Sequence, residues 1–333
     1  MVKFFQNDEN QRMAQLQEFR EFCWVDLVNP TDDEVEDVVA VSGIPEEMIK
    51  AALDEEETAR VEIDDGNSMF LMDTPIMRDT EEGDSYETLP IAVIFNEKCI
   101  VTVSLHGNPI LGDFISNRTK VETKKPVFFL LSFMMGNAKK FSSYLRQIDK
   151  KSLRVQAELH RSMKNKELIQ LLGLENSLVY FSTSLTANMR VYSRVKKLKP
   201  VENIEEYQDL YDDVIIENTQ AIEMCNIYRD ILSGTMDAFA SVISNNVNIV
   251  MKLLTIITLI LSVPTLIASF WGMNVEVPFE GEPWGFWIVV AASAVIAAVV
   301  AVVIFRVTSS VKIEGNKTIR KVRGKKKNKS DDR

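Results

Sequence analysis

Leu253-Leu254-Thr255-Ile256-Ile257-Thr258-Leu259-Ile260-Leu261-Ser262-Val263-Pro264-Thr265-Leu266-Ile267-Ala268-Ser269-Phe270-Trp271-Gly272-Met273-Asn274-Val275 is the stretch on which the fold turns. No charge occurs between Lys252 and Glu276. As a helix the stretch is about 35 Å long, enough to cross a bilayer core of about 30 Å. A second charge-free run, residues 283–305 between Glu282 and Arg306, has the same reach. A single run of this kind also describes the core helix of a soluble protein. Two in tandem predict a pair of membrane spans.

The first run carries a pattern. Asn248, Met251, Thr255, Thr258, Ser262, Thr265 and Ser269 recur at steps of 3, 4, 3, 4, 3 and 4. Such a stripe lies on one face of a helix. Ser and Thr also pack between membrane helices, but the strict period favours a line that faces water. One stripe per chain cannot enclose a pore, whereas several parallel copies around an axis can. The lining would offer hydroxyls and an amide without fixed charge, which suits a cation that keeps much of its water. Mg²⁺ dehydrates reluctantly and fits that description, although the stripe alone does not select one ion. The second run, Trp284 to Phe305, is rich in Val, Ala and Ile, has no such stripe, and suits a lipid-facing position.

Charge sets the orientation. The 333 residues carry a net −10, but residues 306–333 carry +8, leaving −18 for residues 1–305. The basic run Arg320-Lys321-Val322-Arg323-Gly324-Lys325-Lys326-Lys327 follows the second span and is expected to be cytoplasmic. Two spans return the chain to its starting side, so both termini are expected there, in an inner (plasma) membrane. The N-terminus, MVKFFQNDENQR, does not read as a signal peptide.

The acidic remainder argues against a nucleic-acid binder, which needs a basic face. Cys23, Cys99 and Cys225 are scattered and form no CxxC, so neither a disulfide framework nor a thiolate zinc site is supported. No P-loop, GxSxG or paired-histidine motif suggests an enzyme.

Upstream, Cys23 to Leu27 reads as a strand. Thr31 and Glu34 stand at capping-box spacing before Val35, Val38 and Val39. Residues 60–63 and 68–72 flank Asp64-Asp65-Gly66-Asn67 as a hairpin, and residues 91–95 and 99–103 flank Asn96-Glu97-Lys98 as another. The first part is therefore an α+β domain with a mixed or antiparallel sheet. Prolines are absent between Pro126 and Pro200 and again until Pro264. Two or three long helices are expected over residues 127–198. A longer one should start near Val201–Ile204 and run on into the first span. Self-association would support so long a helix. Acidic clusters at Asp54-Glu55-Glu56-Glu57, at Asp79 to Asp84, and at Asp209, Asp212, Asp213 and Glu217 read as solvated faces. They become weak divalent-cation sites if subunits bring carboxylates together.

At the end of the first span stands Phe270-Trp271-Gly272-Met273-Asn274. Gly-Met-Asn after an aromatic, closing the first of two C-terminal spans, resembles the signature of the CorA family of divalent-cation channels. The likeness extends to Trp24-Val25-Asp26-Leu27 with Asn29-Pro30-Thr31, to Leu53-Asp54-Glu55-Glu56-Glu57, and to Arg229-Asp230-Ile231 with Ser233-Gly234. It implies a funnel-shaped homopentamer in the bilayer that passes Mg²⁺, with Co²⁺ or Ni²⁺ as companions. Asn274 would form the selectivity ring with Gly272 and Met273 beside it, Gly272 allowing the turn. Met251 and Leu254 would gate, and Asn248 would form an inner polar ring. A regulatory Mg²⁺ between cytoplasmic domains would sit near Asp213, with Asp209 or Asp212 in its place. Glu276, Glu280 and Glu282 would keep the outer loop acidic.

Trp271 replaces the usual Tyr, and the loop after Asn274 departs from the commoner form. A same-fold transporter of Zn²⁺ and a non-conducting membrane-anchored sensor are the alternatives. The expected layout is a cytoplasmic domain over 1–200, a stalk helix over 201–247, a pore-lining span over 248–270, an external loop over 271–283, a second span over 284–305 and a basic tail over 306–333.

Overall fold

The computed structural model describes residues 1–80, 83–162, 165–274, 284–304 and 306. Residues Met1–Asp237 form one compact unit, and a second unit begins at Ala238.

The first unit is built on seven strands: β1 (Val2–Asn7), β2 (Met13–Leu16), β3 (Cys23–Val28), β4 (Arg60–Asp64), β5 (Asn67–Thr80), β6 (Gly83–Phe95) and β7 (Cys99–Ser104). They form one sheet in the order β2-β1-β3-β7-β6-β5-β4. Only β3 and β7 run parallel, with Cys23 opposite Cys99 and Leu27 opposite Val103; every other pairing is antiparallel. The sheet is therefore mixed, as the hairpin-rich sequence suggested.

Side chains alternate across the strands. Val25, Leu27, Met69, Leu71, Val101 and Val103 pack on one face with Val35 and Val38 of α1 (Asp32–Ser42) and with Met48 and Ile49 of α2 (Glu46–Lys50). Trp24, Phe70, Met72, Val93 and Ile100 point to the other face. They meet α3 (Pro109–Ile115), α4 (Pro126–Ser162), α5 (Asn165–Val195) and the first turns of α7 (Glu205–Trp271). Covering both faces explains why Trp24 and its strand neighbours are fully buried.

Thr31 caps α1 as its spacing requires. The Glu34 N–H donates to Thr31 Oγ1 at 3.3 Å, and the Thr31 N–H donates to Glu34 Oε2 at 3.0 Å. Two long helices, α4 and α5, occupy the proline-free region. The next long helix begins later than the sequence suggested. A short α6 (Lys199–Asn203) comes first, Ile204 is extended, and α7 then runs over Glu205–Trp271.

Trp24 Nε1–H donates to Thr102 Oγ1, and the Thr102 hydroxyl donates to Asp26 Oδ1, both at 2.8 Å. Burial pushes the Asp26 carboxyl above its usual range, against the pull of that hydroxyl.

Candidate ion-conduction site

The stripe residues from Asn248 to Ser269 all lie on α7. Their hydroxyls bond back to their own helix. Thr255 donates to the Met251 carbonyl at 2.8 Å, Thr258 to Leu254 at 2.9 Å, Ser262 to Leu259 at 2.9 Å and Thr265 to Leu261 at 3.0 Å. With the hydrogen committed inward, each oxygen keeps its acceptor lone pairs for what faces the helix. Such a row has the chemistry to accept hydrogen bonds from water along one face of the helix. Pro264 lies inside the helix and supplies no N–H, so the Ile260 carbonyl loses its usual donor.

Apolar residues around the stripe are bare. Leu254 is 57% exposed, as are many of its Leu and Ile neighbours to similar degrees. An uncovered apolar helix of this length is stable only against lipid or other protein. The other apolar helix, α8 (Gly285–Ile304), is likewise long enough to cross a bilayer. It starts beside Trp284, Phe286 and Trp287, of which Trp287 is 69% exposed, and Phe270 and Trp271 close α7. Aromatics at span ends suit the headgroup region; the sequence reading did not use this signal.

α7 ends where the Gly272 N–H donates to the Ala268 carbonyl at 2.9 Å. Gly272 does not adopt a left-handed conformation. A Cβ there would stand 3.3 Å from the Ala268 oxygen, a tight contact with the last turn of its own helix. Met273 and Asn274 follow, both exposed. Glu276, Glu280 and Glu282 lie outside the described residues.

Asp209, Asp212 and Asp213 are exposed within two turns of α7. Burial, followed by the nearby Asp212 charge, raises the Tyr211 phenol. Among the described residues no three or more His, Cys, Asp or Glu side chains gather as a metal site. Part of the cluster at Asp54 to Glu57 is held by arginines. Glu57 pairs with Arg60 at 2.6 Å, and Arg78 lies 3.8 Å from Glu55 and 3.2 Å from Glu87. The heptad register also runs back along α7 beyond the sequence reading. Asp209, Asp213, Glu223, Asp230 and Asp237 fall on it, and all are exposed.

These features define a class: an α+β domain whose last helix continues as an apolar, one-face-polar segment, with a second apolar helix after it. The model of the family described as CorA-like Mg²⁺ transporter protein matches residues 19–306, and the chain belongs to that family. The cobalt/magnesium transport protein CorA of Methanocaldococcus jannaschii is 29% identical over 296 residues, covering 85% of this chain and 89% of that protein. The protein of the same description from Thermotoga maritima is 27% identical over 225 residues, covering 65% and 63%. The complete structure of the M. jannaschii CorA magnesium transporter superposes with a TM-score of 0.77 at 26% identity, covering 92% of this chain and 97% of that one.

Proposed function

We propose that this chain forms a homopentameric membrane channel that admits Mg²⁺ passively, with Co²⁺ and Ni²⁺ as weaker substrates. The carrying observation is the unbroken row of acceptor oxygens from Thr255 to Thr265 on a bare apolar helix that ends at Gly272-Met273-Asn274. Five copies place five such rows around one axis and turn apolar flanks toward the second spans and lipid. The Asn274 amide oxygens then meet the hydrated ion first, and the hydroxyl rows accept hydrogen bonds from its water shell. Met251 and Leu254 narrow the path with apolar side chains, where dewetting stops flow. Asn248 marks the inner polar ring. Both termini lie in the cytoplasm, with the basic tail held against the inner leaflet.

Closure by cytoplasmic Mg²⁺ is the regulation that this family reading carries. A single chain supplies one side of such a site, at Asp209, Asp212 and Asp213.

The test is Mg²⁺ influx into proteoliposomes, read by an enclosed Mg²⁺ dye, for wild type and Asn274→Ala. Influx lost in a variant that still assembles supports the reading. Equal influx in both overturns the selectivity role. Zinc uptake that is indifferent to millimolar Mg²⁺ would transfer the substrate to a transition metal.

A further inference from the structure

A groove of about 300 Å³ opens between α3 and α4, within the first unit. On α4 its lining follows helical spacing. Ser132, Gly136 and Lys140 stand one turn apart in one row, and Lys139 and Ser143 stand in the next. From Ser132 to Ser143 the groove follows about 16 Å of helix axis. Gly136 faces Ile110 of α3, so the floor lies where the two helices approach most closely. The volume is that of a site for a small organic molecule rather than for one ion.

The charges in the groove do not balance. Asp113 of α3 is the one carboxylate that lines it, and Asp113 pairs with Arg118 at 3.2 Å. Lys139 is exposed, and Lys140 Nζ stands 4.7 Å from the centre of the Tyr144 ring. An aromatic face steadies an ammonium without neutralising it. Neither lysine makes an ion pair among the described residues. Two ammonium groups on adjacent residues of one concave surface, in a chain of net −10, suit an anion with several oxygens and more than one charge. A phosphoryl group has both.

The polar groups beyond the lysines bear on what else the anion carries. Ser132 lies about 10 Å along the axis from Lys139, too far to share one phosphoryl group. Asp113 would repel a bare phosphate, but a carboxylate accepts hydrogen bonds from sugar hydroxyls.

We propose that this groove binds a phosphate ester of nucleotide size. Lys139 and Lys140 hold the phosphoryl group, and the hydroxyl-bearing body lies toward Ser132 and Asp113. The groove shares no residue with the α7 stripe, so binding is expected to persist in variants that do not conduct.

The test is calorimetric titration of the full chain in detergent, at low salt with EDTA, using ADP and inorganic phosphate as probes. ADP is expected to bind several-fold more tightly than phosphate. Lys139→Gln with Lys140→Gln should weaken ADP by about tenfold or more, because two charge-assisted contacts are lost. The same two positions changed to Arg should retain it, and Lys196→Gln, outside the groove, should leave it unchanged. Asp113→Asn should weaken ADP and strengthen phosphate, since it removes an acceptor and a repulsive charge together. Melting curves without ligand show that each variant is folded. No ADP binding, or equal binding to wild type and the double Gln variant, overturns the site. Phosphate that binds as tightly as ADP overturns the ester and its body contacts.

Discussion

Gly136 on α4 faces Ile110 on α3 so closely that a Cβ at Gly136 would stand 2.6 Å from Ile110 Cγ2. Ile110 is buried in the core that covers the Trp24 face. It has little room to yield, because α3 is held by its cap: the Asn108 side chain accepts from the Ile110 N–H at 2.8 Å. Gly136→Ala is therefore expected to destabilise the first unit by about 1–3 kcal/mol through overpacking. A lowered melting temperature for the detergent-purified chain is the readout. An unchanged one would mean that α3 shifts freely.

The Trp24–Thr102–Asp26 chain carries a second expectation. Thr102→Val removes the acceptor of a buried indole and the donor to a buried carboxylate at once. A cost of about 2 kcal/mol or more is expected, since each group is left unpaired. The pH dependence has a definite sign. Asp26 has a raised folded-state pKa, so the native state holds its proton more tightly than the unfolded chain. Its contribution therefore falls as pH rises from the ordinary carboxylate range through the raised value, then stays low. Asp26→Asn should raise stability relative to wild type at neutral pH, and that gain should shrink in acid. Melting curves of both proteins across that range decide it; a difference independent of pH would show that burial does not perturb Asp26.

Much of this fold was legible because one physical signal stood alone in each segment. Cys23 to Leu27 alternates between two buried faces, and the turn residues at 64–67 and 96–98 stand between apolar runs that pair as antiparallel strands. The first hairpin was missed although Asp8-Glu9-Asn10-Gln11 is turn-like, because β1 mixes Lys3 and Gln6 with its apolar residues and β2 is short. β5 and β6 run well past the expected Met72 and start before Ile91. Asp73 and Pro75 break the apolar pattern there, yet both stay in register, opposite Pro90 and Thr88. Asp73 is kept by packing partners no local pattern encodes: its N–H donates to Asn188 Oδ1, and its carbonyl accepts from Asn137 and Asn188. At the site, the period of the stripe was readable from hydroxyl spacing. Its extension to Asp209 was not, because Ile216, Gln220 and Ile227 interrupt the run of carboxylates and only exposure unites them with it.

Leu254 tests the gate. It is one of the apolar residues flanking the stripe, and its carbonyl accepts from Thr258. In the proposed pentamer its side chain narrows the inner part of the path. Leu254→Asn replaces five apolar groups by five that bind water, which lowers the dewetting barrier. Mg²⁺ influx should rise severalfold and lose its sensitivity to internal Mg²⁺. Flux and internal-Mg²⁺ dependence equal to wild type would move the constriction to another level of α7.

The hydroxyl row gives the sharpest separation between a conducting face and a packing face. Thr258 and Ser262 each donate to a carbonyl of their own helix, so in either role the hydrogen is already used. What differs is the value of the remaining lone pairs. If the face only packs, valine in place of Thr258 keeps the shape and loses a weak local bond. If hydrated cations pass along it, Thr258→Val with Ser262→Val removes ten acceptors from a pentameric path and leaves an apolar ring in their place. Desolvation of the ion's outer shell is then uncompensated at that level. Each lost hydrogen bond to the ion's water shell is worth about 0.5–1.5 kcal/mol and several are lost together at one level, so influx should fall by about tenfold or more while assembly and membrane insertion remain. Proteoliposome flux measured beside the oligomeric state in detergent separates the cases. Undiminished flux from the double variant would reduce the stripe to helix packing and remove the observation on which the channel reading stands.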